Sequence, residues 1–231
     1  MPAAPAAASN RPRLALFDLD HTLLDGDSDV LWCEFLMDRG LLDRAEFGAR
    51  NQAMERDYRA GTVSVEAFCT FFVSTLAMKS RAQWEPWRRA FMAEVIAPRL
   101  PAAAHALVRR HQQAGDLVVM STATNRFITE LTAQHLGLEH LIATECAAQG
   151  DAFTGATEGT LNMREGKVTR LHAWLAGRGL ALRELESTFY SDSKNDLPLL
   201  YEVDHAVAVN PDERLAAVAA ERGWPVLQLR R

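Results

Sequence analysis

The chain has little that would suit nucleic acid, membrane or disulfide chemistry. Basic residues are outnumbered, 25 Lys and Arg against 30 Asp and Glu, and the formal net charge is −5. Arg109–Arg110 and Arg230–Arg231 are pairs rather than patches, so no basic stripe is available for a phosphate backbone. No apolar run approaches the roughly 20 residues that span a bilayer, and no membrane partner is expected. The three cysteines, Cys33, Cys69 and Cys146, are widely separated and in no metal-ligand spacing. They read as buried small hydrophobes in a reducing compartment, which suggests a cytoplasmic location. Residues 1–12 are rich in Ala and Pro, with no basic segment leading into large apolar residues, so a disordered tail rather than a signal peptide is expected. There is no internal repeat.

What is present is an alternating pattern with one interruption. Leu14 to Phe17 is a short run, apolar throughout, of the kind that forms a central parallel strand covered on both faces. The segment 26–97 then predicts four helices and no strand. The first, capped by Asp27 or Ser28, runs to Arg39; the others span roughly 43–60, 64–78 and 80–96. The last opens on a capping-box pattern, Ser80-Arg-Ala-Gln83. Its aromatic residues Trp84, Trp87 and Phe91, with Phe68, Phe71 and Phe72 on the helix before it, read as a packed helical core. From residue 98 the rhythm becomes helix and strand in turn, with strands expected at 117–120, 141–146, 187–190, 205–209 and 225–229. A Gly-punctuated stretch, 154–168, suggests a hairpin or loose antiparallel excursion. The expectation is an α/β fold with a doubly wound parallel sheet: a core of residues 13–25 and 98–231, with a helical cap, 26–97, inserted after the first strand.

Three strands in this scheme end in polar clusters of different kinds. Asp18 and Asp20 end the first, Ser121 and Thr122 the second, and Asp192 and Asp196 a later one, with Lys167 at the mouth of an intervening helix. Parallel sheets gather such strand ends on one rim. Asp18, Asp20 and Asp192 would together make an oxygen-ligand site for a hard cation such as Mg²⁺. Ser121, free N–H groups at the following helix start and Lys167 are anion-binding groups. Acid, cation and anion-binder together are the requirements of phosphoryl transfer.

Asp18-Leu-Asp-His-Thr22, Ser121, Lys167 and Asp192-Ser-Lys-Asn-Asp196, in that order, resemble the four motifs of the haloacid dehalogenase superfamily. The helical insertion after the first motif resembles the cap of its phosphoserine-phosphatase-like branch. The resemblance implies a phosphomonoester hydrolase, with Asp18 as nucleophile and Mg²⁺ ligand. Asp20 would act as general acid and base and lend its backbone carbonyl to the metal, and Asp192 would be a further ligand. Ser121 with nearby amides, Lys167 and Asn195 would hold phosphoryl oxygens, with Thr122 beside them. Thr22 would orient the loop and Asp196 support the site. His21 alternates away from the two acids and reads as structural. The remaining histidines read as surface or capping residues, and Glu145 and Glu165 as solvated.

In the same branch a cap glutamate pairs with the substrate amine and a cap arginine with its carboxylate. Asp27 falls at the first place, but no arginine stands at the second, near Thr70. The opening motif and the turn Asp25-Gly-Asp-Ser-Asp29 are also similar to bacterial members assigned as histidinol-phosphate phosphatases. The expected substrate is a small, amine-bearing phosphomonoester, selected by an acidic edge of Asp25, Asp27 and Asp29. Helix capping is an equal alternative for Asp25 and Asp29. Phosphoserine or another metabolite, transfer to an acceptor other than water, and a phospho-aspartyl signalling receiver are the competing readings. A monomer or homodimer is expected.

Overall fold

The computed structural model describes residues 11–60 and 62–229, so the expected tail is described only at Arg11 and Pro12. There, Arg11 pairs with Asp204 at 2.9 Å, and the Pro12 carbonyl accepts from the Glu186 amide.

Strand β1 (Arg13–Phe17) has four of its five residues buried, as expected of a strand covered on both faces. It pairs in parallel with β2 (Leu117–Asn125) on one side and β5 (Glu186–Ser191) on the other. With β3 (His140–Gln149), β4 (Ala152–Glu158), β6 (His205–Val209) and β7 (Val226–Leu227), the sheet order is β4-β3-β2-β1-β5-β6-β7. Every pairing is parallel except β3 with β4, which realises the expected antiparallel excursion. The chain winds outward from β1 to β3, then returns to the opposite side of β1 at β5. That reversal opens a crevice at the carboxyl end of β1, between β2 and β5.

Between β1 and β2 lie α1 (Ser28–Asp38), α2 (Arg44–Ala60), α3 (Val65–Ser74) and α4 (Arg81–Phe91). Helices α3 and α4 end sooner than their apolar spacing suggests. The first tightens into a 3₁₀ turn at Thr75–Met78, and the second loosens into a π turn at Met92–Ile96. Both capping reactions expected at the start of α4 form: the Gln83 amide donates to Ser80 Oγ, and the Ser80 amide to Gln83 Oε1. Trp32, Trp84 and Phe91 are buried and meet edge to face, confirming a packed aromatic core. Cys33, Cys69 and Cys146 are buried free thiols, pushed upward in pKa by burial, the last two to about 12.

After β2 come α6 (Arg126–His135), then α7 (Glu165–Ala176), α8 (Leu197–Glu202) and α9 (Glu213–Arg222); α5 (Ala102–Gln113) precedes it. Two local outcomes depart from expectation. His111 is largely buried, with Nδ1 2.7 Å from Asp116 and Nε2 2.9 Å from the Tyr190 hydroxyl. Glu145 is held by Arg126 and Arg170 rather than left to solvent. In each case a partner distant in sequence supplies the contact.

Candidate active site

The turn after β1 separates the two aspartates. Asp18 leaves the strand with its amide donating to the Tyr190 carbonyl, so β1 and β5 stay in register as far as Asp18. The amides of Thr22, Leu23 and Leu24 then all donate to the Leu19 carbonyl, and His21 takes a left-handed φ of 57°. A non-glycine residue there costs roughly 1–2 kcal/mol, and the strain is the local cost of reversing the chain so soon after the strand. His21 anchors this reversal through its backbone, whose amide donates to Gly26 and whose carbonyl accepts from Asn210 Nδ2.

Asp18 Oδ1 receives Lys167 Nζ at 2.7 Å, and the same ammonium reaches Asp196 Oδ2 at 2.7 Å. All three side chains are buried. Burial pushes Asp18 up to about 7 although Lys167 pulls it down, while Asp196 and Asp20 add repulsion. Burial alone would discharge Lys167, but its two carboxylates outweigh that and raise its pKa. Ser191 Oγ completes Asp196 at 2.7 Å. Lys167 lies in the first turn of α7, which begins three residues earlier than the expected Val168, so the side chain points inward at the carboxylates.

The other Asp18 oxygen, Oδ2, receives the Thr22 hydroxyl at 3.3 Å, and that hydroxyl also lies 3.2 Å from Asp192 Oδ1. Asp192 is pushed up to about 9 by burial and by the nearby Asp18 and Asp196. Thr22 therefore does more than orient a loop; it lies between two carboxylates that repel each other.

Asp20 faces elsewhere. Its Oδ1 accepts from the Ser28 amide at 2.7 Å and its Oδ2 from the Thr124 hydroxyl at 2.8 Å. Burial, then the Asp27 charge, raises it to about 6. The three acids therefore do not all face one way. Asp18 and Asp192 converge, whereas the Asp20 side chain is drawn aside by α1 and β2, and among the described residues no three His, Cys, Asp or Glu side chains form a metal cluster.

Ser121 and Thr122 are buried in β2, which runs past its expected end at residue 120. The segment Ser121-Thr-Ala-Thr-Asn125, with two β-branched threonines, stays extended with a register shift against β3, and α6 follows it at Arg126 as expected. The start of α6 is therefore not adjacent to Ser121, and its cap is Asn125, whose Oδ1 accepts from the Ile128 amide. Thr122 Oγ1 accepts from the Thr124 amide at 3.2 Å, closing a local turn. Asn195 lies in a 3₁₀ turn, Lys194–Asp196, with its amide donating to Ser193 Oγ.

Among the acidic residues near α1, the capping role falls to Asp27, whose Oδ1 accepts from the Val30 amide at 3.0 Å. Asp25 is exposed. Asp29 turns inward: its Oδ1 accepts from Asn125 Nδ2 at 3.3 Å and its Oδ2 lies 3.3 Å from the Thr124 oxygen, whose hydrogen goes to Asp20; burial raises its pKa well above the usual carboxylate range, with Asp27 and Asp20 adding to it. The capping alternative weighed for Asp25 and Asp29 is realised at neither. Sequence reasoning missed Thr124 and Asn162; it gave Ser28 only as a possible helix cap and Asp29 only as part of an acidic edge. Asn162 Nδ2 lies 3.1 Å from Ser121 Oγ, and the polar run 121–125 was the one hint of Thr124.

A buried carboxylate paired with lysine, a second carboxylate raised to about 6, and a serine at a parallel-sheet switch point are groups suited to phosphoryl transfer. The haloacid dehalogenase-like hydrolase family matches residues 15–201, and the chain belongs to that family. It is 44% identical over 219 residues to a histidinol-phosphatase of Neisseria meningitidis serogroup C, covering 94% of this chain and 99% of that one. It is 30% identical to a phosphoserine phosphatase of Mycobacterium tuberculosis, covering 99% of this chain and 76% of the relative. A solved protein of unknown function from Bordetella pertussis Tohama I superposes with a TM-score of 0.93 at 45% identity, covering 95% of this chain and all of that one. A phospho-aspartyl intermediate analogue of phosphoserine phosphatase shares the fold, with a TM-score of 0.68 at 16% identity, covering 96% of this chain and 95% of that one.

Proposed function

We propose that the protein hydrolyses a small, amine-bearing phosphomonoester such as histidinol phosphate, through a phosphoryl group carried on Asp18. The observation that carries this reading is the division between the two acids. Asp18 faces Lys167 and Thr22 inside the crevice, while Asp20 is held by the Ser28 amide and Thr124 with a pKa near 6. An acid poised there can both give and take a proton near neutral pH.

In the first step an Asp18 carboxylate oxygen attacks phosphorus. The bond to the leaving oxygen breaks, and that oxygen takes the Asp20 proton. In the second step Asp20 removes a proton from water, whose oxygen attacks phosphorus, and the Asp18 oxygen departs to leave inorganic phosphate. Lys167 keeps Asp18 anionic against its burial. Ser121, Lys167 and Asn195 hold phosphoryl oxygens, with Thr122 shaping the strand end. The donor set fits Mg²⁺: buried Asp18 and part-buried Asp192 repel one another with only a hydroxyl between them, and every ligand is a hard oxygen. Asp18 and Asp192 through their side chains and Asp20 through its carbonyl would hold the ion, which when bound neutralises charge on the phosphoryl oxygens.

The helical segment 26–97 serves as a cap whose movement excludes water and selects substrate. Its acidic edge, Asp27 with the inward-facing Asp29, supports a cationic head group. Arg88, a buried arginine of the cap, is engaged by Glu85 and Glu130 rather than left for a substrate carboxylate. The three free buried thiols support a reducing, cytoplasmic setting. No single helix among the described residues is long and apolar enough to cross a membrane. The test is phosphate release from a panel of small phosphomonoesters with and without Mg²⁺. Histidinol phosphate is expected to turn over faster than phosphoserine, and only with the metal; the reverse order would sink the substrate assignment.

A further inference from the structure

The loop between β4 and α7, residues 159–164, delivers two groups to the site. Its far end starts α7 and so places Lys167. Its middle carries Asn162, which is fully buried. Asn162 Nδ2 lies 2.9 Å from the Thr122 carbonyl, 3.0 Å from the Ile142 carbonyl and 3.1 Å from Ser121 Oγ. Two carbonyl oxygens facing this atom settle which end of the amide is there, since Oδ1 in that place would meet acceptors alone. The Asn162 amide itself donates to Thr144 Oγ1 at 3.2 Å, fixing the residue across the point where β2 and β3 lose register.

The consequence falls on Ser121. With two hydrogens facing three oxygens, Asn162 Nδ2 shares one of them with Ser121 Oγ; an amide nitrogen accepts no hydrogen bond, so the serine hydrogen cannot be directed there, and among the described residues no protein acceptor meets it. We infer that Asn162 is a positioning residue for Ser121: by occupying the serine oxygen as an acceptor, it leaves the hydroxyl hydrogen for a phosphoryl oxygen. This rests on the reading above that Ser121 holds the phosphoryl group. Gly166 makes the seating possible. A Cβ there would stand 2.0 Å from the Leu161 carbonyl oxygen, so only glycine lets the loop pass against the start of α7 with Asn162 facing inward. One loop thus sets both the cation that steadies Asp18 and the donor that aims Ser121.

The test is a double-mutant cycle of Ser121→Ala and Asn162→Ala, reading kcat/KM for p-nitrophenyl phosphate and competitive inhibition by inorganic phosphate. Ser121→Ala alone should lower kcat/KM by about 10- to 100-fold, the cost of losing one hydrogen bond to a charged group. Asn162→Ala should lower it by about tenfold in the native background and less than about twofold in the Ser121→Ala background, the coupling expected of two groups acting as a unit. Inhibition by phosphate should weaken in proportion. Equal losses in both backgrounds would overturn the positioning role. An unchanged Ser121→Ala enzyme would instead overturn the phosphoryl assignment beneath it, and the positioning role with it. Should Asn162→Ala not fold, Asn162→Ser, whose hydroxyl is one bond too short to reach Ser121, runs the same cycle with the same outcomes.

Discussion

Lys167 is the residue on which the site's electrostatics turn. One ammonium, 1% exposed, answers two buried carboxylates at 2.7 Å each. Removing it with Lys167→Met would leave Asp18 and Asp196 without countercharge and should cost about 3–5 kcal/mol, measurable from denaturant midpoints. Thr124→Val removes one of the two donors that hold Asp20. It should lower kcat by about tenfold with little change in KM if Asp20 moves the proton as proposed, since it touches that acid rather than phosphoryl binding; an unchanged kcat would show that Thr124 does not position Asp20. Asp18, Asp20 and Asp192 were legible from sequence because strand ends in a parallel sheet converge, and two acids one residue apart are costly to bury idle. Their different orientations were not. Nothing in Asp-Leu-Asp says that the Ser28 amide and Thr124 will draw the second carboxylate aside. Asn162 was also illegible, because a single asparagine in a Gly-punctuated loop carries no spacing signal, and its side-chain partners lie 20 to 41 residues away.

At the level of elements, the helices after β1 and the alternation after residue 98 follow directly from hydrophobic spacing. Their ends do not, because ends are set by caps and tertiary partners. Strand β2 continues to Asn125, five residues past its expected end, since the β-branched Thr122 and Thr124 favour extended backbone and β3 remains alongside. Asp27 shows how one residue can serve stability and selectivity together. Asp27→Ala should cost about 1 kcal/mol through the lost cap, read as a lower melting temperature. If its charge also recognises the substrate head, Asp27→Asn should restore most of that stability yet still narrow the preference for a cationic ester. Full recovery of both would leave capping as its only role.

For the whole molecule, the reversal of winding at β1 gathers residues from the two ends of the chain into one crevice, and the helical insertion lies over it. The crevice concentrates negative charge. Asp192 and Asp18 are pushed from an ordinary 3.8 up to about 9 and about 7, burial being the largest cause for each. A carboxyl whose pKa is raised by folding contributes stability that is full below about pH 4 and lost as the pH climbs through the raised value. Without metal, the wild type should therefore lose stability relative to Asp192→Asn between about pH 4 and pH 9. A cation bound by these groups favours their charged form, so the rise in melting temperature on adding Mg²⁺ should be larger at about pH 8 than at about pH 5. A rise independent of pH would place the ion elsewhere.

The most direct measurement is to trap the phosphoryl group on the chain. The Asp20→Asn variant is mixed with labelled p-nitrophenyl phosphate and Mg²⁺, quenched in acid and mapped by peptide. This substrate's leaving group needs little protonation, so the first step should proceed while the second stalls. The expected result is label on Asp18, released by mild alkali and absent from an Asp18→Asn, Asp20→Asn double variant. Phosphate release without any label on Asp18, or label that persists in the double variant, would contradict the assignment of Asp18 as the group that takes phosphorus.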